Sequence, residues 1–180
     1  EERLHAELAG AVARQHVDGT LSLVVCNTVE TARQVFLAVP DSRPKILLTS
    51  RFRPQDRDAH LQRLLDFETK RQEEESKRDY GGTSQERGKP IPGDPGLICI
   101  STQVVEAGVD VSAHQLWSEL APWPSMIQRL GRLNRDGRDQ EARAWFWETP
   151  PVGGRRKESR VGPYEVNDIC LLYTSDAADE

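Results

Sequence analysis

Leu97–Asp110 reads LICISTQVVEAGVD, a short apolar run that passes straight into a polar turn. The apolar part, Leu97–Ser101, is continuous rather than alternating, which is the pattern of a strand covered on both faces. Working outward, the same pattern recurs in Leu21–Cys26 (LSLVVC), Lys45–Thr49 (KILLT), Gln115–Leu120 (QLWSEL) and Ala142–Glu148 (ARAWFWE). Helical spacings separate these runs. Leu4, Leu8, Ala11 and Val12 share one face that ends near Gly19. Asn27 with Glu30 forms a capping-box-like start, and Val29, Ala32, Val35, Phe36 and Val39 then mark a helix stopped by Pro40. Arg53-Pro54 opens a long helix carrying Leu61, Leu64 and Leu65, which runs into the mixed-charge stretch ETKRQEEESKR. Tyr80–Gly96, rich in Gly, Pro and Ser, reads as a loop, and Pro124–Asn134 as a short helix. Strands alternating with helices predict an α/β fold of three layers around a mostly parallel sheet. Ligands of such sheets sit at the carboxyl ends of the strands. The stretches to inspect are Asn27–Thr28, Ser50–Arg53, Thr102–Asp110 and the Arg-rich helix.

Composition narrows the function classes. The 180 residues suffice for one ordinary domain with a single core. The longest apolar runs are about six residues, against roughly twenty for a membrane span. A net charge of −5 gives no global positive field, so any nucleic-acid contact must come from a local patch. Cys26, Cys99 and Cys170 form no C-x-x-C pair, and the first two lie in strand-like runs, as expected of buried thiols in a reducing cytoplasm. His5, His16, His60 and His114 are scattered without metal-ligand spacing, so surface or half-buried positions are expected for them and no metal site is. The opening EERLHAELAG has no signal-peptide pattern and no Met, which reads as a piece of something longer.

The other end carries a different signal. Cys170–Glu180 (CLLYTSDAADE) has neither helical nor strand period and resembles the translation of a transposase adapter used in sequencing libraries. Residues 170–180 are therefore read as an adapter-derived tail. Without Asp176, Asp179 and Glu180 the net charge rises from −5 to −2.

Ser125–Arg135 reads SMIQRLGRLNR, placing Gln128, Arg129, Arg132 and Arg135 at helical spacing with no carboxylate between Gln128 and Arg135. Gly131 thins one flank for close approach of a backbone or ligand. A solvated basic face is the commonest fate of such a run. Here it follows a strand end, where an anion would bind. In Ser101–Asp110, Thr102 and Gln103 follow a buried strand and can hold a phosphate through backbone N–H groups and a hydroxyl. Gly108 permits a tight return, and Asp110 can accept a hydrogen bond from a ribose hydroxyl. By itself this is also what a plain polar connection looks like. The order is what discriminates: T-x-x-x-E-x-G-x-D followed by Q-R-x-G-R-x-x-R resembles motifs V and VI of superfamily 2 helicases, and the strand ending in Asn27-Thr28 resembles motif IV.

Taken together, VVCNTVETA, LLTSRFRPQDR, STQVVEAGVDV and SELAPWPSMIQRLGRLNR resemble the second RecA-like lobe of the CRISPR-associated helicase-nuclease of type I systems, over roughly residues 10–150. The pattern omits the first lobe. Gly82 and Gly88 enclose five residues and Pro90 follows Lys89, so G-x-x-x-x-G-K-[ST] is absent, as are an Asp-Glu box and clustered His-Asp pairs.

The resemblance implies a RecA-like lobe over residues 21–150, led in by a helix over 1–20 and followed by a linker over 151–169. It implies Arg132 and Arg135 as arginine fingers toward the γ-phosphate of ATP, and Gln128 as a group that positions the phosphate or its attacking water. Gly108 and Asp110 would line the ribose side of the nucleotide. Thr102 would hold a backbone phosphate of single-stranded DNA, with Asn27, Thr28, Ser50 and Arg51 lining the same path. The Mg²⁺ ligands would belong to a first lobe, joined in cis with a nuclease domain, and the partner would be a CRISPR RNA-guided effector complex in a prokaryotic cytoplasm. Two other readings stay open on these residues: another superfamily 2 helicase acting on RNA or DNA, and a non-catalytic nucleic-acid or protein-binding lobe.

Overall fold

Each strand run holds two sets of apolar side chains, and the sheet buries both. The computed structural model describes residues 2–81, 89–107, 109–149, 160–161 and 163–165. In chain order these form α1 (Glu2–Gln15), β1 (Leu21–Val25), α2 (Val29–Ala38), β2 (Lys45–Leu48), α3 (Pro54–Gly81), β3 (Leu97–Ser101), a 3₁₀ turn (Gln103–Val105), β4 (Gln115–Glu119), α4 (Trp123–Leu130) and β5 (Arg143–Trp147), with a short antiparallel pair, β6 (Arg160–Val161) and β7 (Tyr164–Glu165). Strands β1 to β5 make one all-parallel sheet in the order β2-β3-β1-β4-β5.

Alternate residues point to opposite faces of a strand. Leu21, Leu23, Ile46, Leu48, Leu97, Cys99 and Leu116 pack with Leu64, Val105 and Val109 under α3. Val24, Leu47, Ile98, Ile100 and Trp117 pack on the other face with Leu8, Ala9 and Val12 of α1 and Ala32 and Val35 of α2. Both faces being covered, the continuous apolar runs require the three-layer arrangement that the sequence predicts. Helix α1 is thus part of the core of the lobe that follows it.

Boundaries moved where local hydrogen bonding decided them. Thr28, not Asn27, is the N-cap of α2: its hydroxyl accepts from the Thr31 N–H at 3.0 Å. Helix α4 ends at Leu130 because Gly131 caps it, so Arg132 and Arg135 lie beyond the helix. Two histidines are buried rather than superficial, His5 and His16. His16 Nδ1 meets Ser22 Oγ at 2.7 Å and Nε2 meets Pro95 O at 3.1 Å, which ties the approach to β3 onto β1. Gly96 in that approach has φ +76°, and a Cβ there would come within 2.6 Å of His16 Nε2. Residues 82–88, Gly108, most of the 151–169 linker and the 170–180 tail lie outside the described residues. Among the described residues no helix is long and apolar enough to cross a membrane.

Candidate functional site

Register brings three strand ends together, since Val25 pairs with Ser101 and Ser101 with Leu48. The residues just beyond them are therefore neighbours at the carboxyl edge of the sheet: Asn27-Thr28, Ser50-Arg51 and Thr102-Gln103. Ser50 and Arg51 are exposed there and Thr28 is half-buried. Thr102 is buried; its N–H donates to Leu48 O, and its hydroxyl makes no capping bond to the 3₁₀ turn it precedes. Asn27 departs from the expectation of a side chain lining a path. It is 2% exposed, its Nδ2 donates to Leu120 O at 2.7 Å, its Oδ1 accepts from Arg129, and its backbone O accepts from Gln103 Nε2 at 3.0 Å. Its amide is committed to holding the edge together.

The arginines do not form one basic face. Arg129 is completely buried and donates through all three guanidinium nitrogens: Nε to Glu106 Oε1 at 2.8 Å, Nη1 to Ser118 Oγ at 3.1 Å and to Glu119 O at 2.7 Å, and Nη2 to Asn27 Oδ1 at 3.0 Å. Arg132 is also buried and donates from Nε to Val105 O and from Nη2 to Glu106 O, both at 3.0 Å, so its fork clamps the 3₁₀ turn rather than standing free. Only Nη1 remains for it to offer. Arg135 is different. Its side chain is 48% exposed and meets the far more exposed Asp110 at 3.0 Å through Nε, which leaves both terminal nitrogens for a ligand. Gln128 is exposed on the outer side of α4. The neutralising carboxylates, Glu106 and Asp110, come from the preceding loop rather than from the helix.

The Thr102–Asp110 loop carries the site from one end of the sheet to the other. It starts at the end of β3, and by Ala113 and His114 it has returned to the start of β1, where the His114 N–H donates to Leu21 O at 2.9 Å. Ala113 bridges Leu133 in parallel fashion, which sets the Asp110 and Arg135 segments side by side. The result is two stations: Thr28, Ser50, Arg51 and Thr102 at the carboxyl edge, and Asp110 with Arg135 toward the opposite end. Arg129 and Arg132 pin the loop between them. A cavity of about 220 Å³ lies beside the second station, lined among others by Arg71, Asp110, Ser112, Arg135 and Asp136. Chemically, the first station offers neutral donors and one cation, and the second a half-free guanidinium beside a carboxylate. Among the described residues no cluster of three or more His, Cys, Asp or Glu side chains could hold a metal ion. These residues do not fit a Mg²⁺ site.

Three interior groups carry no assignment in the sequence reading: Glu106, Arg129 and Glu119. Glu119 is 1% exposed and accepts from the Asn27 N–H at 2.7 Å and from Thr149 Oγ1 at 2.6 Å. Burial and this carboxylate together push the Cys26 thiol well above its ordinary range. The available signal was Glu106 itself, a carboxylate of the loop that precedes an arginine series with no counter-ion between Gln128 and Arg135.

Comparison with known proteins bears on the family and the fold. Residues 18–138 match the family model for the C-terminal part of the CRISPR-associated nuclease/helicase Cas3. A putative CRISPR-associated nuclease/helicase Cas3 of Methanocaldococcus jannaschii is 29% identical over 139 residues, which are 77% of this chain and 16% of that protein. The chain thus spans about a sixth of the length of the curated relatives it matches. The fold is that of T. fusca Cas3 crystallised with AMPPNP, at TM-score 0.66 and 21% identity over 98% of this chain and 19% of that one. A chain of a CRISPR RNA-guided surveillance complex in a pre-nicking state is also alike, at TM-score 0.52 and 21% identity over 94% of this chain and 21% of that one.

Proposed function

The chain belongs to the Cas3 C-terminal helicase family, and from that premise we propose that it is the lobe that completes an ATP-driven, single-stranded DNA translocase. The observation that carries this reading is the division of labour among the arginines. Arg129 is spent on the interior and Arg132 keeps only Nη1, whereas Arg135 keeps both terminal nitrogens beside the exposed Asp110. A guanidinium so placed can reach across a cleft to a γ-phosphate held by another lobe and meet the charge that develops as the phosphoryl leaves. Arg132 fixes the turn and reaches the phosphate, if the cleft closes on it, through Nη1. Gln128 lies ready to orient the phosphate or a water. Asp110 accepts from a ribose hydroxyl. The Mg²⁺ ligands, the phosphate loop and the nuclease belong to the remainder of a full-length protein, which works with a CRISPR RNA-guided effector in the cytoplasm.

The carboxyl-edge station supplies the DNA side. Thr102, Thr28, Ser50 and Arg51 suit a phosphate backbone read without regard to sequence, as translocation requires. Since the loop joins the two stations, ATP-driven closure of one lobe on the other would move the DNA contacts along the strand.

Two results are expected. The purified 180-residue chain is expected to show no DNA-stimulated ATPase, because its sequence has no G-x-x-x-x-G-K-[ST] phosphate loop and its arginines have no cradled phosphate to act on. Metal-dependent turnover that Arg135→Ala abolishes would overturn this. In the full-length enzyme, Thr102→Ala raises the DNA concentration needed for half-maximal ATPase severalfold, the value of one neutral hydrogen bond of about 1 kcal/mol, and leaves basal turnover intact. An unchanged DNA requirement removes Thr102 from the DNA path.

A further inference from the structure

Arg135 has one bond of its own, to an exposed carboxylate, and a flexible stem. What fixes it in space is its backbone. Asn134, just before it, takes φ +45°, and Gly137, two residues after, takes φ +68°. The Asn134 N–H donates to Ala113 O at 2.9 Å, and its side-chain amide closes the turn through both Asp139 N–H and Asp139 O. Asp136, the next residue, is gripped from α3. Arg71 Nη1 reaches Asp136 Oδ2 at 3.2 Å and Glu75 Oε1 at 2.6 Å, while Nη2 and Nε reach Glu68 Oε2 at 3.1 and 3.2 Å.

The same cluster holds the other member of the exposed pair. Ser112, two residues after Asp110, donates its N–H to Glu68 Oε1 at 3.3 Å and its hydroxyl to Asp136 Oδ1 at 3.0 Å. Arg138 adds a weaker contact to Glu75 at 3.5 Å. Arg71, Glu68 and Glu75 are largely buried, with side-chain exposures of 13%, 4% and 5%. A buried charge cluster of this kind contributes little net stability against an apolar replacement, yet it specifies one arrangement because every partner must be met.

We propose that Arg71 is a positioning residue for Arg135: through Asp136 and the Glu68–Ser112 link, α3 sets the separation and direction of the Arg135–Asp110 pair at the nucleotide. This rests on the reading of Arg135 as the group that meets the γ-phosphate. A finger displaced by about 1 Å loses on the order of 10²-fold in rate without losing binding energy in proportion.

The test uses the full-length enzyme and two variants that keep the cluster filled. Arg71→Lys retains the charge but not the fork; Asp136→Asn retains shape and the Ser112 bond but not the charge. Each is expected to lower kcat by about 10- to 100-fold, with KM for ATP within about twofold, and to lower kcat no further when added to Arg135→Ala. If Arg135→Ala leaves kcat near normal, the reading of Arg135 fails and the proposal goes with it. If Arg135→Ala collapses kcat while both cluster variants keep it, the proposal alone is overturned. A lower thermal midpoint with kcat intact, or the same fractional loss in the Arg135→Ala background, assigns the cluster to stability and overturns it equally.

Discussion

Arg135→Ala in the full-length enzyme is expected to reduce ATP turnover by about 10³- to 10⁵-fold, which is about 4–7 kcal/mol of barrier. The size follows from what the side chain does in each state. In the resting lobe Arg135 makes one ion pair with a largely exposed partner, and such a pair is worth about 0–1 kcal/mol. Its removal leaves the fold intact. On the proposed reading, the same guanidinium faces in the transition state a charge that did not exist before. The loss therefore falls on kcat, with ATP and DNA affinities changed little. Arg135→Lys restores little, because an ammonium lacks the planar fork. Steady-state ATPase titrated with single-stranded DNA measures all three quantities. Near-normal maximal turnover in Arg135→Ala would place the guanidinium outside the chemistry.

Arg129→Met is expected to do the reverse, costing stability by about 3–5 kcal/mol while removing no group from the reaction. Arg129 is fully buried and neutralises Glu106. Without it the Glu106 carboxylate, Asn27 Oδ1, Glu119 O and Ser118 Oγ all lose a donor at once. A buried charge left unpaired is the expensive case. For a domain of this size each kcal/mol moves the thermal midpoint by about 2–4 °C, so a drop of about 10 °C is expected in the lobe alone. The double variant Arg129→Met, Glu106→Gln should recover part of it, since it deletes the charge that the single variant strands. A midpoint within about 2 °C of wild type for Arg129→Met would show that the cluster is relaxed without its centre.

The contrast between these two arginines marks how far the sequence could be read. The layers were legible because LSLVVC, KILLT and LICIS have no polar alternation, and only a sheet covered on both faces accommodates that. The two motifs were legible as a pair through their order along the chain. Which arginine faces outward was not. Helical spacing puts Arg129, Arg132 and Arg135 on a common face only while the helix lasts, and Gly131 ends it after Leu130. Nor could spacing show that Glu106, 23 residues before Arg129, would fold back to neutralise it. Along the sequence, ETKRQEEESKR shows only dense mixed charge. Within it, Glu68 and Glu75 are buried against the backs of the site loops. Burial pushes the Glu68 carboxyl above its usual range even with Arg71 beside it. Charge that is locally balanced gives no sequence sign of being inside.

The position of β1 at the centre of the sheet has a consequence for how the lobe is made. Both of its neighbours, β3 and β4, are synthesised later than β2, which ends up beyond β3. As the chain leaves the ribosome, β1 emerges with two unpaired edges and two apolar faces. Roughly 70 further residues must follow before β3 appears, which takes about 4–14 s at usual elongation rates. Helices α1 and α2 can cover one face in that interval, but neither strand that pairs with β1 in the fold is yet made, and a bare β-edge is a template for aggregation. Pairing of β1 therefore waits until α3 and the approach to β3 have been made, so the centre of the sheet is the part that closes late.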